Sequence, residues 1–183
     1  PREIEKHTKL FYRAFKEVRR SFPNAKAYLF AVPEVSDEKI YELIGPRRDG
    51  LEIVRENDYA ARSEMDFVIT CSGTATLENA LLGLPMLVVY KTGWVTYQVA
   101  KMIIKVPYIS LVNILSKKGV VKEFIQKDAN PKAIAQEICS IIGSEKNYNS
   151  MRAQLLKLRS QLGEPGVAKR AAQIIIDEVF PKE

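Results

Sequence analysis

Apolar residues recur along the start of the chain with a helical period. Ile4, Phe11, Phe15, Val18 and Phe22 fall at spacings of seven, four, three and four, which lays one apolar stripe along a helix. The next apolar block, 25–32 (AKAYLFAV), is continuous rather than periodic and reads as a buried strand stopped by Pro33. Ser36-Asp37-Glu38 opens a second helix, and Gly45-Pro46 ends it. The pattern then predicts a strand at 51–54, a short helix at 58–64 and a strand at 66–70 (DFVIT). A helix follows from about Thr74 to Leu82, and Gly83-Leu84-Pro85 turns into a strand at 86–90. Beyond Tyr90 the expectations are a helix at 94–105, a short strand at 108–111, and helices at 119–126, 131–142, 147–162 and 166–179.

Short strands alternating with helices of this length point to βαβ units. The fold class expected is α/β, a Rossmann-like parallel sheet with helices on both faces, followed by a helical tail. Residues 1–142 form the expected domain and 143–183 the tail, which packs on that domain or on another. Doubly wound domains open on a strand, and here a helix comes first. That points to a longer chain whose first strand lies outside these residues.

Composition adds little to the fold and more to the function. The chain has 183 residues, 46% hydrophobic and 27% charged, an ordinary globular balance that excludes disorder and disulfide scaffolds. Cys71 and Cys139 are far apart, with no CxxC, so neither a zinc site nor a redox pair finds support. His7 is the sole histidine and sits in a charged helical stretch, which argues against histidine-dependent nucleophilic catalysis. No apolar run has the length of a membrane span, and no signal peptide pattern is present.

Charge is distributed unevenly. Residues 1–90 carry 13 Lys+Arg against 14 Asp+Glu, whereas 91–183 carry 15 against 8. Within 91–132 stand eight lysines and only two acids, Glu123 and Asp128. Such a field suits phosphate-bearing partners. Nucleic acid is disfavoured, because the α/β pattern lacks the aromatic-studded strands of RNA-binding modules. An anionic membrane surface fits better, through the basic 91–132 region. For the apolar face of 94–105 itself, packing on the sheet with its lysines solvated is the favoured reading over contact with a membrane.

The segment 66–90 (DFVITCSGTATLENALLGLPMLVVY) carries the clearest chemistry. A strand ends at Ser72-Gly73-Thr74, where a helix opens. Free backbone N–H groups and the helix dipole make such a junction an anion site, and glycine lets a phosphate approach the main chain. Glu78 lies one turn on, on the same face as Thr74, where a carboxylate can accept ribose hydroxyls. The competing explanation is an ordinary helix cap, with Thr74 as N-cap and Glu78 favoured by the dipole.

SGTATLENALLGLPMLVVYK, followed by KVPYISLVNIL and VVKEFIQKDANP, resembles the C-terminal half of the lipid-A-disaccharide synthases, glycosyltransferases of two-Rossmann-domain (GT-B) architecture. The resemblance implies transfer of diacylglucosamine from UDP-2,3-diacylglucosamine to lipid X in lipid A biosynthesis, with inversion, release of UDP, and no cofactor or metal. It implies a cytoplasmic enzyme lying peripherally at the inner face of the bacterial inner membrane. By position, Ser72, Gly73 and Thr74 would meet the diphosphate and Glu78 the ribose. Arg55, Glu56 and Asn57 would face the uracil, and Asn113 and Gln126 would lie near the cleft.

Some family features differ. The family's Pro-Gly-Ser-Arg phosphate loop does not precede the first helix, and Arg2 is not its arginine. The N-terminal acceptor domain, with the family's catalytic aspartate, is missing, so these residues alone are expected to bind donor without catalysing transfer. Val112 replaces a proline, and Lys117-Lys118-Gly119 replaces Gly-Arg-Glu. The alternatives are another UDP-sugar domain of the same architecture, from the peptidoglycan GlcNAc transferase or a UDP-GlcNAc epimerase, and a non-catalytic basic domain binding anionic membranes.

Overall fold

The computed structural model describes residues 2–31, 33–45, 50–55, 59–93, 107–163 and 166–179. The first helix, α1 (Arg2–Ser21), is followed by β1 (Ala27–Phe30), α2 (Asp37–Ile44), β2 (Leu51–Val54) and α3 (Tyr59–Ser63). Next come β3 (Val68–Cys71), α4 (Thr74–Leu81) and β4 (Met86–Tyr90). The remainder is α5 (Leu111–Ser116), β5 (Glu123–Ile125), α6 (Pro131–Ile142), α7 (Glu145–Arg159) and α8 (Val167–Val179). The expected helix at 94–105 lies outside the described residues.

All pairings among the described strands are parallel, as the alternating pattern predicts. They form two pieces, β1-β2 and β3-β4-β5. β4 is the organising strand. Met86, Leu87, Val88 and Val89 are completely buried, so this run reads as continuously apolar because both its faces are covered. Leu87 and Val89 pack with Leu10, Ala14 and Val18 of α1, Phe124 of β5, and Ile134 and Ile138 of α6. Met86 and Val88 turn the other way, onto Ala80 of α4, Val112 of α5, and Leu155 and Leu158 of α7. Helices therefore cover both faces of the three-stranded sheet.

Local chemistry fixes the helix starts. Ser36 Oγ accepts from Lys39 N at α2, Asn130 Oδ1 from Ala133 N at α6, and Ser144 Oγ from Asn147 N at α7. His7, the sole histidine, is structural. Its Nε2 accepts the Lys91 N–H at 3.1 Å and its ring meets Phe11 edge-on, pinning α1 to the end of β4.

Two expected elements are exchanged. Residues 108–111 do not form a strand, because Ser110 instead caps α5, its Oγ accepting from Asn113 N. Residues 119–126 hold β5 rather than a helix. The run is too short for periodicity to separate the two, and pairing with β4 decides it. Phe124 then joins the core on one face of the sheet while Val121 joins the core on the other.

The tail divides in two. α7 packs into the core, but every residue of α8 is exposed, including Ile174, Ile175 and Ile176. No helix among the described residues is long and apolar enough to cross a membrane. Leu155 is fully buried and bridges α7 to the β4 face. Leu155→Ala is expected to cost about 2–5 kcal/mol, read as a lower urea midpoint with an unchanged slope.

Candidate functional site

The candidate site stands at the C-terminal end of β3, where the chain turns through Ser72 and Gly73 into α4. Gly73, not Thr74, is the N-cap, and no side chain among the described residues caps this helix. The capping explanation for Thr74 therefore fails: Thr74 is the first helical residue, exposed to solvent. Thr76 closes the turn from within, its Oγ1 donating to Gly73 O at 2.7 Å. Among the described residues, a Cβ built on Gly73 would meet nothing within 4 Å, so they leave space above the main chain at the helix mouth. An uncapped N-terminus with that access can receive an anion on its first-turn amides.

Ser72 is tied down. Its Oγ donates to Ile109 O at 2.7 Å, so the hydroxyl hydrogen is already engaged and the oxygen retains only acceptor capacity. Ile109 is held in turn by Glu123, the acid at the start of β5. Its carboxylate accepts from Ile109 N (2.9 Å), Ser110 N (3.0 Å), Ser110 Oγ (2.7 Å) and Asn113 Nδ2 (2.8 Å). Sequence reading counted Glu123 only as one of two acids in a basic stretch.

Asn113 is only 1% exposed and uses its whole amide internally. Oδ1 accepts from Val120 N and Val121 N, and Nδ2 donates to Val121 O and Glu123. Its contribution near the cleft is to hold the backbone that holds Ser72. Gln126 directly follows β5 in a left-handed conformation (φ 51°), its N–H donating to Tyr90 O. It closes the strand rather than a helix.

Glu78 points its carboxylate at Arg62, Nη1 to Oε2 at 2.8 Å. The Arg62 side chain is 13% exposed and its guanidinium lies over the rings of Phe30 and Tyr59, at 5.4 and 5.3 Å from their centroids. Arg62 was not singled out from sequence, because it lies sixteen residues from its partner in an unremarkable short helix. Arg55 follows β2 and its Nε donates to Asp37 Oδ1 at 3.0 Å, which ties it to the start of α2. Glu56 and Asn57 lie outside the described residues. The structure thus brings together Ser72, Gly73, Thr74 and Glu78, with Asn113 behind them. Removing the Asn113 amide would leave two buried N–H groups and Glu123 short of partners. Asn113→Leu is expected to lose at least about 2 kcal/mol in a urea titration.

Comparison with known proteins bears directly on this segment. The family model described as lipid-A-disaccharide synthetase matches residues 1–177. A lipid-A-disaccharide synthase of Syntrophotalea carbinolica is 36% identical over 159 residues, covering 87% of this chain and 41% of that protein. One from Syntrophus aciditrophicus is 44% identical over 123 residues (67% of this chain, 32% of the relative). One from Geobacter metallireducens is 32% identical over 182 residues (98% and 47%). The chain spans less than half the length of these curated relatives. With a family match over nearly its whole length, the chain belongs to the lipid-A-disaccharide synthetase family.

Proposed function

We propose that these residues are the donor-binding half of a lipid-A-disaccharide synthase. The observation that carries this reading is the uncapped start of α4, with open space above Gly73, inside a chain of that family. The diphosphate of UDP-2,3-diacylglucosamine lies against the first-turn amides. Glu78 holds the ribose hydroxyls through Oε1 while Arg62 keeps Oε2. Arg62 also offsets the carboxylate's charge, which would otherwise repel a diphosphate one turn away. The uracil faces the end of β2, at Arg55, Glu56 and Asn57.

In the transfer, the 6-hydroxyl of lipid X attacks the anomeric carbon from the face opposite UDP. The C–O bond to the diphosphate breaks with its electron pair, which gives inversion and free UDP. The hydroxyl proton passes to a base in the other half of the protein. The helix mouth stabilises the charge that develops on the leaving diphosphate. These residues alone bind donor without turning it over.

The enzyme works at the cytoplasmic face of the inner membrane, where its diacylated substrates reside. Supporting this, Ile114 and Leu115 of α5 are exposed beside exposed Lys117 and Lys118, an apolar and basic rim. The exposed α8, with its apolar Ile174–Ile176 run, packs on the other half of the protein.

A UDP titration followed by amide NMR tests the site. Millimolar binding is expected, about −4 kcal/mol, with shifts confined to 55–57 and 72–78 and abolished in Glu78→Ala. Absence of shifts at ~10 mM UDP would overturn the reading. For the membrane rim, Lys117→Glu combined with Lys118→Glu is expected to abolish sedimentation with phosphatidylglycerol vesicles without altering UDP shifts. Retention of the mutant on vesicles would remove this surface from the proposal.

A further inference from the structure

Among the described residues, Tyr59 is the one aromatic side chain that stands exposed, at 47%. A single exposed apolar residue means little by itself. Its neighbours give this one a place. Tyr59 opens α3, the helix that follows β2, so it stands on the side of the sheet where the parallel strands end and where ligands of such folds bind. Three residues on, Arg62 lays its guanidinium over the Tyr59 ring, 5.3 Å from the centroid, and over the ring of Phe30, the last residue of β1. The same guanidinium bonds Glu78 Oε2 at 2.8 Å.

Arg62 therefore joins two features carried on different elements: a carboxylate one turn inside α4, and an aromatic ring at the start of α3. The guanidinium takes up one face of the ring, which leaves the exposure of Tyr59 to the other face and the edge. An ion pair and two rings hold the guanidinium, so the ring that rests on it is held in one plane as well. A flat aromatic face fixed in advance of binding has already met much of the ordering cost. What covers it best is another flat ring system with polar edges, because stacking removes water from both faces and leaves those edges free for hydrogen bonds. One guanidinium separates the carboxylate from this face, a span comparable to that between sugar and base in a single nucleoside.

We propose that the exposed face of Tyr59 is the stacking platform for the base of the bound nucleoside diphosphate. The base lies flat on the ring while its ribose reaches Glu78, and Arg62 keeps the two contacts in register. This inference rests on the ribose site proposed above and adds a residue to it. Every base has a π-face, so the ring supplies affinity for a base without choosing among bases. The choice falls to groups that meet the edge of the base, at Arg55, Glu56 and Asn57. A leucine at 59 would cover Arg62 with similar bulk but offer no flat face, whereas phenylalanine keeps the face and loses only the hydroxyl.

The test is a UDP titration followed by NMR on the 183-residue chain and on its Tyr59→Leu and Tyr59→Phe variants. The readouts are H5 and H6 of the ligand's uracil and the amides of 72–78. With the unaltered chain, the uracil protons are expected to move upfield in the ring current and to show cross-relaxation with the Tyr59 ring. Tyr59→Leu is expected to bind UDP about tenfold more weakly and to lose the upfield shift, and Tyr59→Phe to keep both. Ribose 5-phosphate, which has sugar and phosphate without a base, is expected to give the same amide shifts with and without the aromatic ring. Tyr59 is half-exposed, so the urea midpoints of both variants are expected to stay close to that of the unaltered chain. Amide shifts at 72–78 with an unchanged UDP affinity in Tyr59→Leu overturn the platform and leave the helix-mouth reading standing. An equal loss of ribose 5-phosphate in Tyr59→Leu also overturns it, since Tyr59 would then act only by holding Arg62 and Glu78. Uracil stacked on Tyr59 without any shift at 72–78 supports the platform and overturns the helix-mouth reading instead.

Discussion

Burial of β4 on both faces is the constraint from which the rest of the molecule follows. A strand whose four apolar side chains are all out of water requires a layer of helix on each side, and α1 with α6, and α4 with α5 and α7, supply those layers. The parallel register between β3 and β4 then fixes where β3 ends, and hence where α4 begins. The helix mouth at Gly73 is thus placed by packing some distance below it.

Glu123 transmits that rigidity sideways. It belongs to β5, the strand beside β4, and its carboxylate gathers the backbone at 109–110 and the amide of Asn113. Through Ile109 the same network reaches Ser72. Four hydrogen bonds to one carboxylate make a small, stiff node where otherwise a loop and a strand end would meet without contact. Around it the molecule has a surface of two characters, with a helix mouth that no side chain among the described residues caps and a basic, partly apolar rim on α5.

Much of this was legible in the sequence. The apolar stripe from Ile4 to Phe22, the continuous run 86–90, the Ser36 start of α2 and the Ser-Gly-Thr turn all became what their patterns predict, because local propensity and tertiary burial agree there. The exchange of strand and helix around 108–126 has a physical cause: VVKEFIQ is apolar at positions compatible with either period, and only the free edge of β4 decides between them. Arg62 and Glu123 were illegible for a different reason. Each acts on a partner more than ten residues away, Glu78 and Ile109, and such pairings leave no trace in local spacing.

The division of the sheet has a consequence for how the molecule comes apart. β1 and β2 share their own ladder of backbone bonds, and with α2 they hold a single buried residue, Ile40, whereas the other piece holds both faces of the core. The smaller piece is expected to open with a free energy below that of global unfolding. Loss of the first would expose the underside of α1 while leaving β3, β4, β5 and the turn at Gly73 intact. The turn at Gly73 thus sits on the part of the protein expected to melt last.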